Sequence, residues 1–180
     1  MKFLFALLAV TLFGAVSLYA APSNAARIDV ASISPHKVPL SPGVANGGKL
    51  YNSSSTNTIL RSSFPAGKEW KEASFIFNPE ADGSLYINLM GAWAKNPDDR
   101  SWIIYDNVTV KGATITNGDF EKGMKSWWQG SSAKGAKIVD GGREGGQKAV
   151  RVNHDNGACT RFDVKKDQPV TITFFYKLAD

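Results

Sequence analysis

The chain has 180 residues, a formal net charge of +5, and 43% hydrophobic, 11% aromatic and 21% charged residues, with 17 Gly, 8 Pro and one Cys. These figures exclude a disordered tail, a coiled coil and a disulfide-stapled miniprotein, and describe one globular domain with an ordinary core. A mean hydropathy of −0.21 excludes a polytopic membrane protein.

In chain order the first feature is a leader. Lys2 precedes an apolar run over 3–16, and small residues follow at Ser17, Ala20, Ala21, Ser23, Ala25 and Ala26, the pattern of a secretory signal with cleavage after Ala20 or Ala25. The run is shorter than the ~20 residues that span a bilayer. The division expected is a signal peptide over 1–25 and one β-sandwich domain over 26–180, secreted or periplasmic. Removing Lys2 leaves 20 basic residues against 16 acidic ones. That surplus is spread along the chain without a basic block, which argues against nucleic acid or a membrane surface as partner. Cys159 is the single cysteine, so no internal disulfide forms, and a buried, inert thiol is the plain reading.

Beyond Arg27 the dominant period is two. The segment 34–48, with Pro35, Pro39, Pro42 and three glycines, reads as extended chain or a long loop and not as a central strand. Ala73, Phe75 and Phe77 share one face of a strand. Leu85, Ile87 and Leu89 alternate with Tyr86, Asn88 and Met90, and 102–110 is rich in β-branched and aromatic residues. Strands are also expected at 148–152, 160–164 and 170–176. Asp82-Gly83, Asn117-Gly118, Asp140-Gly141-Gly142, Gly145-Gly146 and Asn156-Gly157 supply turns between them. No stretch carries a helical stripe, so the expected class is all-β, an antiparallel β-sandwich or jelly roll.

Two stretches carry a resemblance. From Asn117 the chain reads Asn-Gly-Asp-Phe-Glu, with Trp127 and Trp128 a few residues on, then a Gly-rich turn and strands at 148–152 and 170–176. This resembles the opening half of a galactose-binding-like jelly roll, the fold of many carbohydrate-binding modules of secreted glycoside hydrolases. The closing half resembles 26–111: Trp70 with its strand, Asp82-Gly83, the strand 85–89, and a last strand bearing Asp106-Asn107-Val108. The halves stand in inverted order. A circular permutation, with 111–116 joining the family's last strand to its first, yields one core of normal size. The alternative is two truncated halves with open edges.

The resemblance implies a structural Ca²⁺ held by Asp106 and Glu121, with Asp119 and Glu144 as weaker candidates. Ca²⁺ takes six to eight oxygens, so further donors are required. The competing reading has these carboxylates accepting hydrogen bonds from local backbone amides.

For sugar binding, aromatic rings stack on the C–H face of a pyranose while planar polar groups meet its hydroxyls. Trp93, in the polar stretch 91–101, is the first candidate; Trp128 and Trp102 follow, with Tyr86, Asn88 and Arg61 as polar contacts. Trp70 and Trp127 read as core. Catalysis finds little support: His36 and His154 are far apart, Glu80 with Asp82 and Asp98 with Asp99 read as solvated loop pairs, and 141–148 lacks the ending of a phosphate loop. Asn52 and Asn107 match the glycosylation acceptor pattern.

The function expected is therefore non-catalytic adhesion to a polysaccharide or glycan. The alternatives are a structural or protein-interaction sandwich, including pairing with a partner chain through an open sheet edge, and, less favoured, a small hydrolase.

Overall fold

A computed structural model describes residues 24–33, 37–53, 58–129 and 135–180. Residues 1–23, which include Ala20 and most of the expected leader, His36, and the side chain of Asn52 with its acceptor residue Ser54 lie outside the described residues. Twelve strands form in chain order: β1 Ala25–Ser32, β2 Leu40–Asn46, β3 Lys49–Ser53, β4 Ile59–Pro65, β5 Lys71–Pro79, β6 Gly83–Gly91, β7 Ile103–Lys111, β8 Trp128–Gln129, β9 Lys137–Asp140, β10 Lys148–Val152, β11 Ala158–Val164 and β12 Val170–Leu178. Helical geometry among the described residues is confined to one 3₁₀ turn at Pro97–Asp99, capped by the Asn96 side chain.

The strands pair antiparallel in two six-stranded sheets, ordered β3-β4-β1-β6-β11-β8 and β2-β5-β12-β7-β10-β9. The protein is an antiparallel β-sandwich, the class that the alternating pattern predicts. Alternation decides the faces: Ile28 and Val30, Leu85, Ile87 and Leu89, Phe75 and Phe77, and Ile172, Phe174 and Tyr176 all point between the sheets into one core. That core draws on both stretches of the resemblance, since β12 lies between β5 and β7. Phe64, Tyr105, Phe174 and Tyr176 form its aromatic centre, with ring centroids 5.0 to 6.4 Å apart. Tyr105 also ties the sheets together, its hydroxyl lying 2.8 Å from the carbonyl of Met90 and 3.1 Å from that of Arg27.

The segment 34–48 contributes an edge strand. β2 pairs with β5 alone, and its register shifts between Pro42 and Val44. Proline lacks the donor a central strand requires, so an edge position with a bulge accommodates it.

The Asn-Gly-Asp-Phe-Glu segment has a structural task at nearly every residue. The Asn117 side chain donates to the carbonyls of Gly123 and Lys125 and accepts from the Lys122 amide, winding 117–125 around itself. A Cβ at Gly118 would fall 1.9 Å from the Val108 carbonyl oxygen, so only glycine fits there. Phe120 stacks on Trp127 at 4.9 Å inside the core, and the Trp127 indole N–H donates to the Asn117 carbonyl. Trp127 is therefore core, as expected. Trp70 is not: it is half-buried outside the core, with the Lys177 ammonium 4.9 Å from its ring centre. It sits just before β5, where its side chain is left on the outer surface.

Candidate functional site

The inner face of the first sheet is apolar, so its chemistry lies on the outer face. There the register aligns residues distant in sequence. One row runs Arg61, Asp29, Asn88, Cys159, Trp128 across β4, β1, β6, β11 and β8. The next runs Ile59, Ala31, Tyr86, Arg161. At ~4.8 Å between strands, the first row spans ~19 Å.

Four of the six residues considered for sugar contact thus share this face: Arg61, Tyr86, Asn88 and Trp128. Tyr86, Trp128, Arg161, Ser32 and Ile33 line an open depression of about 630 Å³. Trp128 is 45% exposed and Tyr86 half-buried, so one ring stands free while the other forms a floor. The remaining two lie elsewhere. Trp93 is 58% exposed in the loop after β6. Trp102 flanks β7 in the other sheet, with the Arg151 guanidinium 3.9 Å from its ring centre.

A polar network supports the depression from within the sheet. Asp29 is buried and takes both arms of Arg27, Nε to Oδ1 at 2.9 Å and Nη2 to Oδ2 at 2.5 Å. Arg61 reaches the same carboxylate only loosely, its Nε 3.4 Å from Oδ2, and that nitrogen is buried without a hydrogen-bond partner. The Cys159 thiol donates to Asn88 Oδ1 at 3.2 Å, and the Asn88 amide meets the Met90 sulfur at 3.0 Å. Burial, and then the Asp29 charge, push the Cys159 thiol up to about 11, so the buried, inert thiol of the sequence reading fits this environment. Burial likewise raises the Tyr86 phenol, with Cys159 and Asp29 adding to it and Arg61 opposing.

Arg27, Asp29 and Arg161 were not singled out from the sequence. Their signal is present: Arg27 and Asp29 alternate with Ala26, Ile28 and Val30, and Arg161 alternates with Thr160 and Phe162. The first pair is obscured because its strand begins among small residues that match the expected signal pattern.

Asp106 and Glu121 meet the same loop, 143–148. The pairing of β7 and β12 is irregular between Thr173 and Phe175, where two residues of β7, Asn107 and Val108, oppose one of β12, Phe174. Asn107 adopts φ 47° there, a conformation asparagine tolerates. The bulge places Asp106 so that Oδ1 accepts from the Asn107 amide at 2.7 Å and Oδ2 from the Arg143 amide at 2.6 Å. Glu121 Oε1 accepts from the amides of Gln147 at 2.7 Å and Lys148 at 3.0 Å. Burial is the main reason the Asp106 carboxyl is held above its ordinary range; the amides oppose it, and the charges of Glu121 and Asp119 add to it.

Calcium requires lone pairs converging from several oxygens. Here the groups that converge on these carboxylates are N–H donors. Among the described residues no cluster of three or more His, Cys, Asp or Glu side chains has a metal-holding arrangement. As placed, the pair forms an amide clasp, and a calcium ion would need oxygens beyond these two carboxylates. Glu144 points to the Arg143 guanidinium instead, and Arg143 also stacks on Phe175 at 3.4 Å.

The other groups weighed for chemistry are locally engaged. His154 bonds Asp155 at 2.9 Å, and Asp155 also pairs with Arg100. Asp82 accepts from the Lys166 amide and the Lys165 ammonium, which lower its pKa, and Glu80 accepts from Ser41.

The fold and this outer face define the class: an antiparallel β-sandwich with an aromatic and arginine-bearing sheet face. Comparison with family models, curated proteins and solved structures finds no match to the chain.

Proposed function

We propose that this is a secreted, non-catalytic glycan-binding sandwich that uses the outer face of the first sheet. The observation that carries the reading is the juxtaposition of Tyr86 and the exposed Trp128 with Arg161 in one open depression, above the polar row of Arg61, Asp29 and Asn88. Rings of this kind receive the C–H face of a pyranose, and guanidinium and amide groups beside them meet its oxygens. The likeness to galactose-binding-like carbohydrate-binding modules, with their halves permuted, supports the same reading. The clasp at Asp106 and Glu121 then has a structural task, pinning loop 143–148 against β7.

The test is binding of the mature protein to a panel of soluble polysaccharides by affinity electrophoresis and calorimetry. Trp128→Ala and Tyr86→Ala should each weaken binding about tenfold, at ~1.4 kcal/mol per decade, and Trp128→Ala should leave the unfolding midpoint nearly unchanged. Retained affinity in both variants defeats the assignment of the face.

Export completes the proposal. Ala25 opens β1 and is fully buried, its carbonyl accepts from the Ala92 amide, and the Asn24 side chain accepts from Ser101. Cleavage after Ala20 leaves this strand whole, so the intact mass of the exported protein should correspond to a start at Ala21.

A second reading has its own observation. Val44 and Leu50, 51% and 39% exposed, lie on the edge strands β2 and β3. Exposed apolar side chains on open edges suit a partner chain. Concentration-dependent association lost in Val44→Glu would favour that structural or interaction role.

A further inference from the structure

Charge on the proposed binding face identifies a narrower class of ligand. The outer face of β4, β1, β6 and β11 carries Arg61, Arg27, Asp29, Arg161 and Asp163. Arg27 and Asp29 neutralise each other through two hydrogen bonds. Asp163 accepts from the Ser84 hydroxyl and keeps its charge, so the five groups carry a net +1. Two arginines lack a carboxylate of their own, since Arg27 and Arg61 share Asp29. Arg61 stands loosely beside an already occupied carboxylate, with a buried Nε that bonds nothing. Arg161 is exposed at the depression, and among the described residues no carboxylate lies within ion-pair distance of it. They sit on opposite sides of Tyr86, three strand spacings apart, ~14 Å across the sheet.

A neutral sugar laid over these groups would strip water from two guanidinium ions without supplying an anion, which is costly. A ligand with carboxylates removes that cost, because the planar guanidinium fork matches a carboxylate in two parallel hydrogen bonds. The rings of Tyr86 and Trp128 require C–H faces in the same ligand. One polymer offers both. Resting on the glycan-binding reading, we infer that the face takes a polyuronate, an acidic polysaccharide whose carboxylates meet Arg161 and Arg61 while its pyranose rings lie on Tyr86 and Trp128.

The experiment compares polygalacturonate, the same polymer fully methyl-esterified, an uncharged β-glucan and dextran sulfate. Each is titrated against wild type, Arg161→Gln, Arg61→Gln and Trp128→Ala, with circular dichroism and unfolding midpoints to confirm the fold. Polygalacturonate should bind at least tenfold tighter than its ester. Each arginine variant should lose about tenfold on polygalacturonate, ~1.4 kcal/mol, and little on the ester. Equal affinity for acid and ester, with Trp128→Ala still losing binding, overturns the acidic inference and leaves the glycan reading standing. Preference for dextran sulfate over polygalacturonate overturns the uronate assignment in favour of a sulfated ligand. Binding to none of the four overturns both readings.

Discussion

Replacing Glu121 by alanine removes the acceptor that holds the amides of Gln147 and Lys148 at 2.7 and 3.0 Å. Bonds to a charged acceptor contribute ~1.5–3 kcal/mol each in a buried setting. Glu121 is half-buried, so solvent screening reduces each to ~1 kcal/mol and the pair to ~2 kcal/mol. For a domain of this size 1 kcal/mol shifts the midpoint by ~2–4 °C. Glu121→Ala should therefore lower Tm by ~4–8 °C, and Glu121→Gln, which keeps a carbonyl acceptor, by about half that. The assay is calorimetric unfolding of the mature protein in chelator and again in millimolar calcium. Chelator and calcium should leave wild type and both variants where they are, because the clasp is made of N–H donors. A Tm that calcium raises by several degrees in wild type but not in Glu121→Gln would refute the reasoning, as would a Glu121→Ala variant as stable as wild type.

Two further predictions concern buried groups. Tyr105→Phe removes the hydroxyl that joins β7 to the carbonyls of Met90 and Arg27. It should cost ~1–2 kcal/mol in urea unfolding with no change in m-value. Cys159, pushed up to about 11 by burial first and Asp29 second, has only ~0.1% thiolate at pH 8, against roughly a quarter for an unfolded cysteine. Native protein should resist a thiol reagent for hours at pH 8 and react within minutes in denaturant; rapid native labelling would show that the Trp128 end of the sheet opens easily.

Local alternation made much of the framework legible. Strands β5, β6, β7, β10, β11 and β12 follow the sequence pattern because side-chain direction along a strand depends only on parity. The motif from Asn117 was visible as a unit, since nearly all its bonds close within ten residues. By contrast β1, the central partner of β4 and β6, is masked by alanines that match a signal pattern, and the place of Trp70 before an apolar strand does not reveal which way its ring faces.

The site itself depended on register. Arg61, Asp29, Asn88, Cys159 and Trp128 come from five strands and form one row only through pairings that join segments up to 71 residues apart, as Asn88 and Cys159 are. A slip of one residue in any of those pairings would send its members to the other face. The same holds for Asp106 and Glu121, where the residue pair is readable but its partner is not: the bulge at Asn107 places Asp106, and amides of loop 143–148 meet both carboxylates. Sequence determined which residues alternate and where chains turn, because those depend on neighbours along the chain. Tertiary structure decided which charges are paired and which are not, because that depends on groups the backbone brings together from afar.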